Sequence, residues 1–246
     1  MITEEMHHRQ QQLRDTFLAE NAKLNLSAFR TPEACWTGNI LDSLAALEVE
    51  PFRSLNLNPS PNPNPSPNPN PNPNPNPNLR FLDLGTGGGF PLLPLALELP
   101  HHTFVGMDAT QKKISAVDRM VTALGITNVS LVCGRSEELA RDSVHREQYD
   151  IVLCRAIAEL NVLLELAAPF VKVGGIILCW KSLKIEQELR DSLLARSELS
   201  CQMEQTFEYD LGGTWGKRQI LVFKKRAKTS NKYPREAGIP KKNPLK

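Results

Sequence analysis

The sequence predicts an α/β protein on a seven-stranded sheet, parallel through five strands and finished by an antiparallel hairpin, with a small helical region in front. Three observations predict it. Short runs apolar at nearly every position alternate with helix-length stretches, and strands of that kind need a parallel sheet covered on both faces. The alternation ends in two strand-like runs joined through a Gly212-Gly213 loop, with no helix between them. A glycine-rich turn from Gly85 to Gly89 follows the first strand and opens into a helix at Pro91.

The elements follow in order. Helix-like apolar spacing covers Glu4 to Lys23 and again Pro32 to Leu47, the second with Thr31 as N-cap and Pro32 at the first helical position. Strands are expected at Arg80 to Leu84, Thr103 to Met107, Val129 to Cys133, Tyr149 to Cys154 and Ile176 to Trp180. Helices are expected between them at Pro91 to Leu99, Gln111 to Leu124, Ser136 to Ala140, Glu159 to Phe170 and Ile185 to Arg196. Cys201 to Tyr209 and Gln219 to Lys225 supply the hairpin.

Residues 56–78 are almost pure Asn-Pro and hold ten of the nineteen prolines. Each proline removes a backbone donor and pushes its predecessor toward extended geometry, so this stretch reads as an inserted spacer without chemistry. The expected organisation is a helical region over 1–55, the linker over 56–78, the sheet domain over 79–226 and a basic tail over 227–246.

The chain of 246 residues is 41% apolar, enough for a sizeable core. No apolar run approaches the roughly 18 residues of a membrane span, and the first twelve residues lack the apolar centre of a signal peptide. Five cysteines without a Cys-x-x-Cys pair read as buried thiols in a reducing cytoplasm, and no metal set is visible. The formal net charge of +2 conceals an asymmetry, since Lys224 to Lys246 carries nine basic residues against one acid and the rest of the chain is net acidic. Such a tail suits a polyanionic partner such as nucleic acid, or is a solvated terminus.

Phe81-Leu82-Asp83-Leu84-Gly85-Thr86-Gly87-Gly88-Gly89-Phe90-Pro91 is the most informative stretch. Glycines let the backbone approach a ligand, and free N–H groups at a helix start favour a negative group. The dinucleotide fingerprint fails because its third glycine falls on Phe90, and the Lys-Ser/Thr of a P-loop is absent. What remains is Asp-x-Gly-x-Gly-x-Gly, the loop of methyltransferases that use S-adenosylmethionine. Asp108, nineteen residues beyond Gly89, stands where a carboxylate can accept from both ribose hydroxyls, or can cap the helix that starts near Gln111. Ser136 and Glu137 follow the third strand at the usual adenine edge, where Ser-Glu is also ordinary helix initiation. Arg155 ends the fourth strand, the edge at which open α/β sheets present ligand-contacting groups, or at which it forms a salt bridge.

Asp83 to Pro91, Asp108-Ala109-Thr110-Gln111-Lys112-Lys113, Gly134-Arg135-Ser136-Glu137-Glu138, Cys154-Arg155-Ala156 and Lys232-Tyr233-Pro234-Arg235-Glu236-Ala237-Gly238 together resemble the bacterial RsmG family, also called glucose-inhibited division protein B. The resemblance spans the chain apart from the Asn-Pro insert. It implies a class I S-adenosylmethionine-dependent methyltransferase fold. It also implies methylation of N7 of a guanine in the decoding-region loop of 16S ribosomal RNA (position 527 in standard rRNA numbering), with the RNA or the small ribosomal subunit as partner. The expected cofactor site is Asp83, Gly85, Gly87, Phe90, Asp108, Ala109, Thr110, Ser136, Glu137 and Arg155. Arg155 and Lys181 are implied at the reacting site, and Arg135, Lys181 and Arg218 on the RNA side. The chain departs from the family at Gly38-Asn39, where Arg-His commonly precedes Leu-Asp-Ser.

Guanine N7 has an in-plane lone pair in the neutral base, so attack needs no proton removal, in keeping with the absence of a Ser-His-Asp or Cys-His set. N7 lies on the major-groove edge, which A-form RNA closes off, so a loop or an open assembly intermediate is the expected substrate. Trp180 and Trp215 are candidates for stacking on bases or for packing. A cytoplasmic monomer is expected. Two other readings share features of this sequence: an RNA-binding assembly factor that kept the fold without the chemistry, and a nicotinamide-dependent oxidoreductase, opposed by Phe90 and by the hairpin.

Overall fold

The structure is a computed structural model describing residues 4–50, 52 and 78–246. The expected spacer lies, up to residue 77, outside the described residues.

Strands β1 (Arg80–Leu84), β2 (Thr103–Asp108), β3 (Val129–Cys133), β4 (Tyr149–Arg155) and β5 (Val171–Lys181) pair in parallel, and β6 (Cys201–Asp210) and β7 (Lys217–Lys225) complete the sheet. Its order is β3-β2-β1-β4-β5-β7-β6, with β7 antiparallel to both β5 and β6. The order reverses between β1 and β4, the place where an open α/β sheet leaves a crevice beyond its strand ends.

Alternation along each strand sends neighbours to opposite faces. Phe81 of β1 packs with the N-terminal helices and stacks on Phe104 of β2 at 4.4 Å, whereas Leu82 and Leu84 face the other layer. That second layer contains the helix Leu160–Ala167, Phe170 and Tyr233. Strand β5 begins at Val171, earlier than the expected Ile176: Val171 pairs with Tyr149, the register shifts across the stretch that holds Gly174-Gly175, and regular pairing resumes at Ile176 opposite Ile151.

Helix α1 (Glu4–Leu24) lies on the first face, burying Leu13 and Phe17. Three polar contacts fix it there. Gln10 Nε2 donates to Pro94 O at 3.0 Å and to Glu98 Oε1 at 2.7 Å, and Arg119 forks onto Glu20 Oε2 at 2.6 and 3.1 Å. The second helical stretch starts as expected, with Thr31 Oγ1 accepting from Ala34 N at 3.2 Å. It is not a uniform helix. A π-helical segment at Trp36–Leu41 separates short α-helical pieces at Pro32–Cys35 and Asp42–Leu44, and a 3-10 turn at Ala45–Glu48 ends it.

The basic tail neither projects nor frays. Tyr233 is buried with its hydroxyl donating to Glu198 at 2.9 Å, and Arg235 Nη2 pairs with the fully buried Glu165 at 2.6 Å. Lys232, Arg226 and Lys246 also have carboxylate partners, so acids of the body neutralise much of the tail's charge. One cysteine departs from expectation: Cys133, at the end of the edge strand β3, is exposed, and the other four are buried.

Candidate active site

The loop after β1 turns sharply because Gly85 (φ +70°) and Gly87 (φ +56°) adopt left-handed backbone that side-chain-bearing residues rarely tolerate. Asp108, at the end of β2, pins that turn. Its Oδ2 accepts from Gly87 N at 3.1 Å and its Oδ1 from Thr110 N at 2.9 Å, while the helix that follows has Thr110 as N-cap without a side-chain cap bond, so Asp108 pins the turn before the helix and does not cap it. Lys113 approaches it at 3.6 Å.

Beneath the loop, Asp83 is buried in β1. Burial pushes its carboxyl up to about 7, against the pull of the Arg155 charge, and its Oδ2 has no hydrogen-bond partner among the described residues. It therefore supports the loop from below and lines neither cavity.

Two cavities open at the strand ends and meet at Gly85, which lines both. The first, about 620 Å³, is walled by Met107, Ile157, Val162 and Leu166 and edged by Asp108, Ala109, Arg135, Ser136 and Glu137. The second, about 690 Å³, contains Gly87, Phe90, Arg155, Lys181 and Arg218. The expected cofactor residues thus divide between the two. Thr110 lines neither and contributes its N–H to Asp108. Arg135 is set apart from Lys181 and Arg218, on the side of the first cavity, so the three basic residues do not form one patch.

Arg155 forms a salt bridge and more. Nη1 donates to Gly38 O at 3.1 Å and to Asp42 Oδ2 at 2.9 Å, while Nη2 donates to Asn39 Oδ1 at 2.7 Å. Its guanidinium stands 5.8 Å over the Phe90 ring. All three acceptors lie in or directly after the π-helical segment, an irregularity that often marks functional sites. Asn39 completes the clamp.

Asp42 is the hub that sequence reasoning missed. Besides Arg155, its carboxylate accepts from the Tyr209 hydroxyl at 2.7 Å and faces Arg218 at 3.6 Å, and its carbonyl accepts from Trp180 Nε1 at 2.8 Å. Burial and the Asp42 charge push the Tyr209 phenol up, so it remains a donor. Trp180 is buried, packs in the first core layer and shows an edge to the second cavity.

Lys181 donates to Ala158 O at 2.8 Å and pairs with Glu188. Trp215 meets Phe29 edge-on at 5.1 Å, and a Cβ on Gly38 would come within 2.6 Å of both rings. Glycine at that position is what lets this aromatic wall close over the second cavity.

Glu137 Oε2 accepts from the Ser136 hydroxyl at 3.1 Å and Oε1 accepts from Gly238 N at 3.0 Å. The carboxylate expected at the base edge is therefore tied to the C-terminal segment. None of the five histidines lines either cavity. Among the described residues there is no cluster of metal-ligating side chains and no helix long and apolar enough to cross a membrane.

The donor set fits S-adenosylmethionine: a glycine cradle without Cβ atoms at Gly85 and Gly87, a carboxylate at the end of β2 and an apolar slot for a flat base. Sheet order and site together define a class I methyltransferase. The comparisons carry this to a family. Residues 73–220 match the family model GidB, rRNA small subunit methyltransferase G, and the chain belongs to that family. It is 32% identical over 228 residues to the ribosomal RNA small subunit methyltransferase G of Carboxydothermus hydrogenoformans, covering 93% of this chain and 87% of that one. With the protein of the same name from Leuconostoc citreum it shares 41% identity over 164 residues, 67% of this chain and 68% of that one. The crystal structure of a proposed O-methyltransferase from Klebsiella pneumoniae superposes with a TM-score of 0.56 at 15% identity, over 87% of this chain and 90% of the other, a likeness of fold.

Proposed function

We propose that this protein transfers the methyl group of S-adenosylmethionine to N7 of a guanine in the decoding-region loop of 16S ribosomal RNA. The observation that carries the reading is the meeting of the two cavities at Gly85, one suited to an adenosine and the other ringed by Arg155, Arg218, Phe90 and Trp215.

When bound, S-adenosylmethionine supplies a methyl carbon made electrophilic by a sulfonium. The N7 lone pair would take that methyl carbon with the thioether as leaving group, leaving the positive charge on the base. No residue has to remove a proton beforehand, which agrees with a site that holds no histidine. The work left to the protein is alignment, exclusion of water and electrostatics.

A free guanidinium beside a base that is becoming cationic would oppose the reaction. Here the Asp42 carboxylate, 2.9 Å from Arg155, offsets that charge while Gly38 and Asn39 fix the group's position. Arg155 can then orient ligands at the junction with little net repulsion. Phe29 and Trp215 offer apolar surface to an unstacked base, and Lys217 and Arg218 at the rim face the phosphates that flank it. Lys181, held by Glu188 and Ala158, lies deeper and shapes the cleft. Arg135 reaches RNA from the other side of the cofactor. An rRNA substrate supports a cytoplasmic location.

Isothermal titration with S-adenosylmethionine, followed by transfer of a labelled methyl group to small-subunit RNA, tests the proposal. Saturable 1:1 cofactor binding and label in 16S RNA are expected. Binding without transfer to RNA or to small subunits contradicts it.

A further inference from the structure

The C-terminal residues Gly238, Pro240, Lys241 and Pro244 form one side of the first cavity. The chain reaches that position through a docked stretch before it. Arg146 donates to Thr229 O at 2.9 Å, Tyr233 O at 3.0 Å and Ser230 O at 3.2 Å, and Arg141 Nη2 donates to Pro234 O at 2.6 Å. Arg235 binds Glu165 through its backbone N–H at 2.9 Å and its guanidinium at 2.6 Å. Every one of these anchors lies before Gly238.

Beyond them the hold is lighter. Gly238, at φ +84°, donates to Glu137 Oε1 at 3.0 Å, and a four-residue helix, Ile239–Lys242, follows. The segment then closes with Leu245 against the second core layer and Lys246 at 3.5 Å from Asp191. A firmly fixed strap therefore leads into a lightly held flap, and the flap covers the cavity suited to the adenosine.

We propose that residues 237–246 are a cofactor-binding element, a wall of the adenosine cavity latched by the Glu137 carboxylate, so that cofactor affinity and the closure of this segment are coupled. The inference rests on the reading that the first cavity holds S-adenosylmethionine. It assigns Glu137 a role through the tail, in place of reading the base with its carboxylate. It also gives the end of the basic tail a role besides the polyanionic partner or solvated terminus that its charge suggests. Coupling between two events on one molecule is reciprocal: if the closed segment tightens the cofactor, the cofactor must hold the segment closed.

Both directions are measurable. Deleting residues 237–246 leaves Tyr233 and Arg235 in place, so the apo protein should melt near the temperature of the full chain. Its affinity for S-adenosylhomocysteine should fall about ten-fold, equivalent to about 1.4 kcal/mol. Gly238→Val, which puts a branched residue at φ +84° where a Cβ meets nothing within 4 Å, should lower affinity in the same direction through backbone strain. On the unaltered chain, saturating S-adenosylhomocysteine should slow tryptic cleavage after Lys241 and Lys242 several-fold. Equal affinity in the folded truncated chain, or cleavage unaffected by ligand on the full chain, overturns the proposal. Failure of the full chain to bind the ligand at all overturns instead the assignment of the cavity.

Discussion

The Asp42 carboxylate, buried in the N-terminal helical segment, accepts a hydrogen bond at 2.9 Å from Arg155 at the end of β4, 113 residues further along the chain. This contact joins the N-terminal region to the candidate site and sets a counter-charge beside Arg155.

Asp42→Asn keeps an acceptor for Arg155 but removes the negative charge. Turnover should fall about ten- to hundred-fold, about 1.4–2.7 kcal/mol, while KM for RNA changes little. Asp42→Ala leaves Arg155 without its counter-charge and should in addition destabilise the fold by about 3–5 kcal/mol. Steady-state kinetics on folded Asp42→Asn decides; turnover within two-fold of the parent contradicts the role.

Asp108→Ala should weaken S-adenosylmethionine binding by about 1.5–3 kcal/mol, the cost of losing charge-assisted hydrogen bonds. Because the same carboxylate pins Gly87 and Thr110, the loss should appear as weaker binding enthalpy without a change in stoichiometry. Calorimetric affinity unchanged within error removes Asp108 from the cofactor site.

The strand pattern was legible because β1, β2 and β4 are buried on both faces and so read as continuous apolar runs with clear ends, whereas the edge strand β3 is only partly buried. The glycine loop and Asp108 were legible because their chemistry is local. Asp42 was not, since its partners Arg155 and Tyr209 lie 113 and 167 residues away and its own neighbours read as an ordinary helix. Nothing in Trp36–Leu41 announces a π-helical segment, as its apolar spacing suits an α-helix equally well. The tail misled through net charge: its partners Glu137, Glu165 and Glu198 sit singly in separate helical stretches, and only the fold brings them to one edge.

Asp83 makes stability depend on pH. Its carboxyl is raised by burial from 3.8 to about 7, so between these values the folded state holds a proton that the unfolded state has released. Stability from this group is therefore full below about pH 4 and is lost as pH rises through about 7, by at most about 4 kcal/mol. Asp83→Asn should flatten the fall in urea midpoint between pH 4 and 7, compared with the parent. Parallel pH profiles for the two proteins contradict the assignment.

Lys217 and Arg218 should govern RNA attraction. Replacing both by Ala should lower RNA affinity and reduce the slope of log affinity against log salt by about 0.7–0.9 per lost phosphate contact, with S-adenosylmethionine affinity preserved. Filter binding across a salt series checks this, and an unaltered slope places the RNA elsewhere.

Methyl transfer to guanine N7 leaves a chemical signature: borohydride reduction followed by aniline cleaves the strand at 7-methylguanosine. Small subunits and protein-free 16S RNA lacking the modification should be incubated with the protein and S-adenosylmethionine, then treated and mapped by primer extension. A single new cleavage in the decoding-region loop is expected, dependent on cofactor and lost in Arg155→Ala. Methyl incorporation that yields no cleavage, or cleavage at some other site, contradicts the proposed transfer.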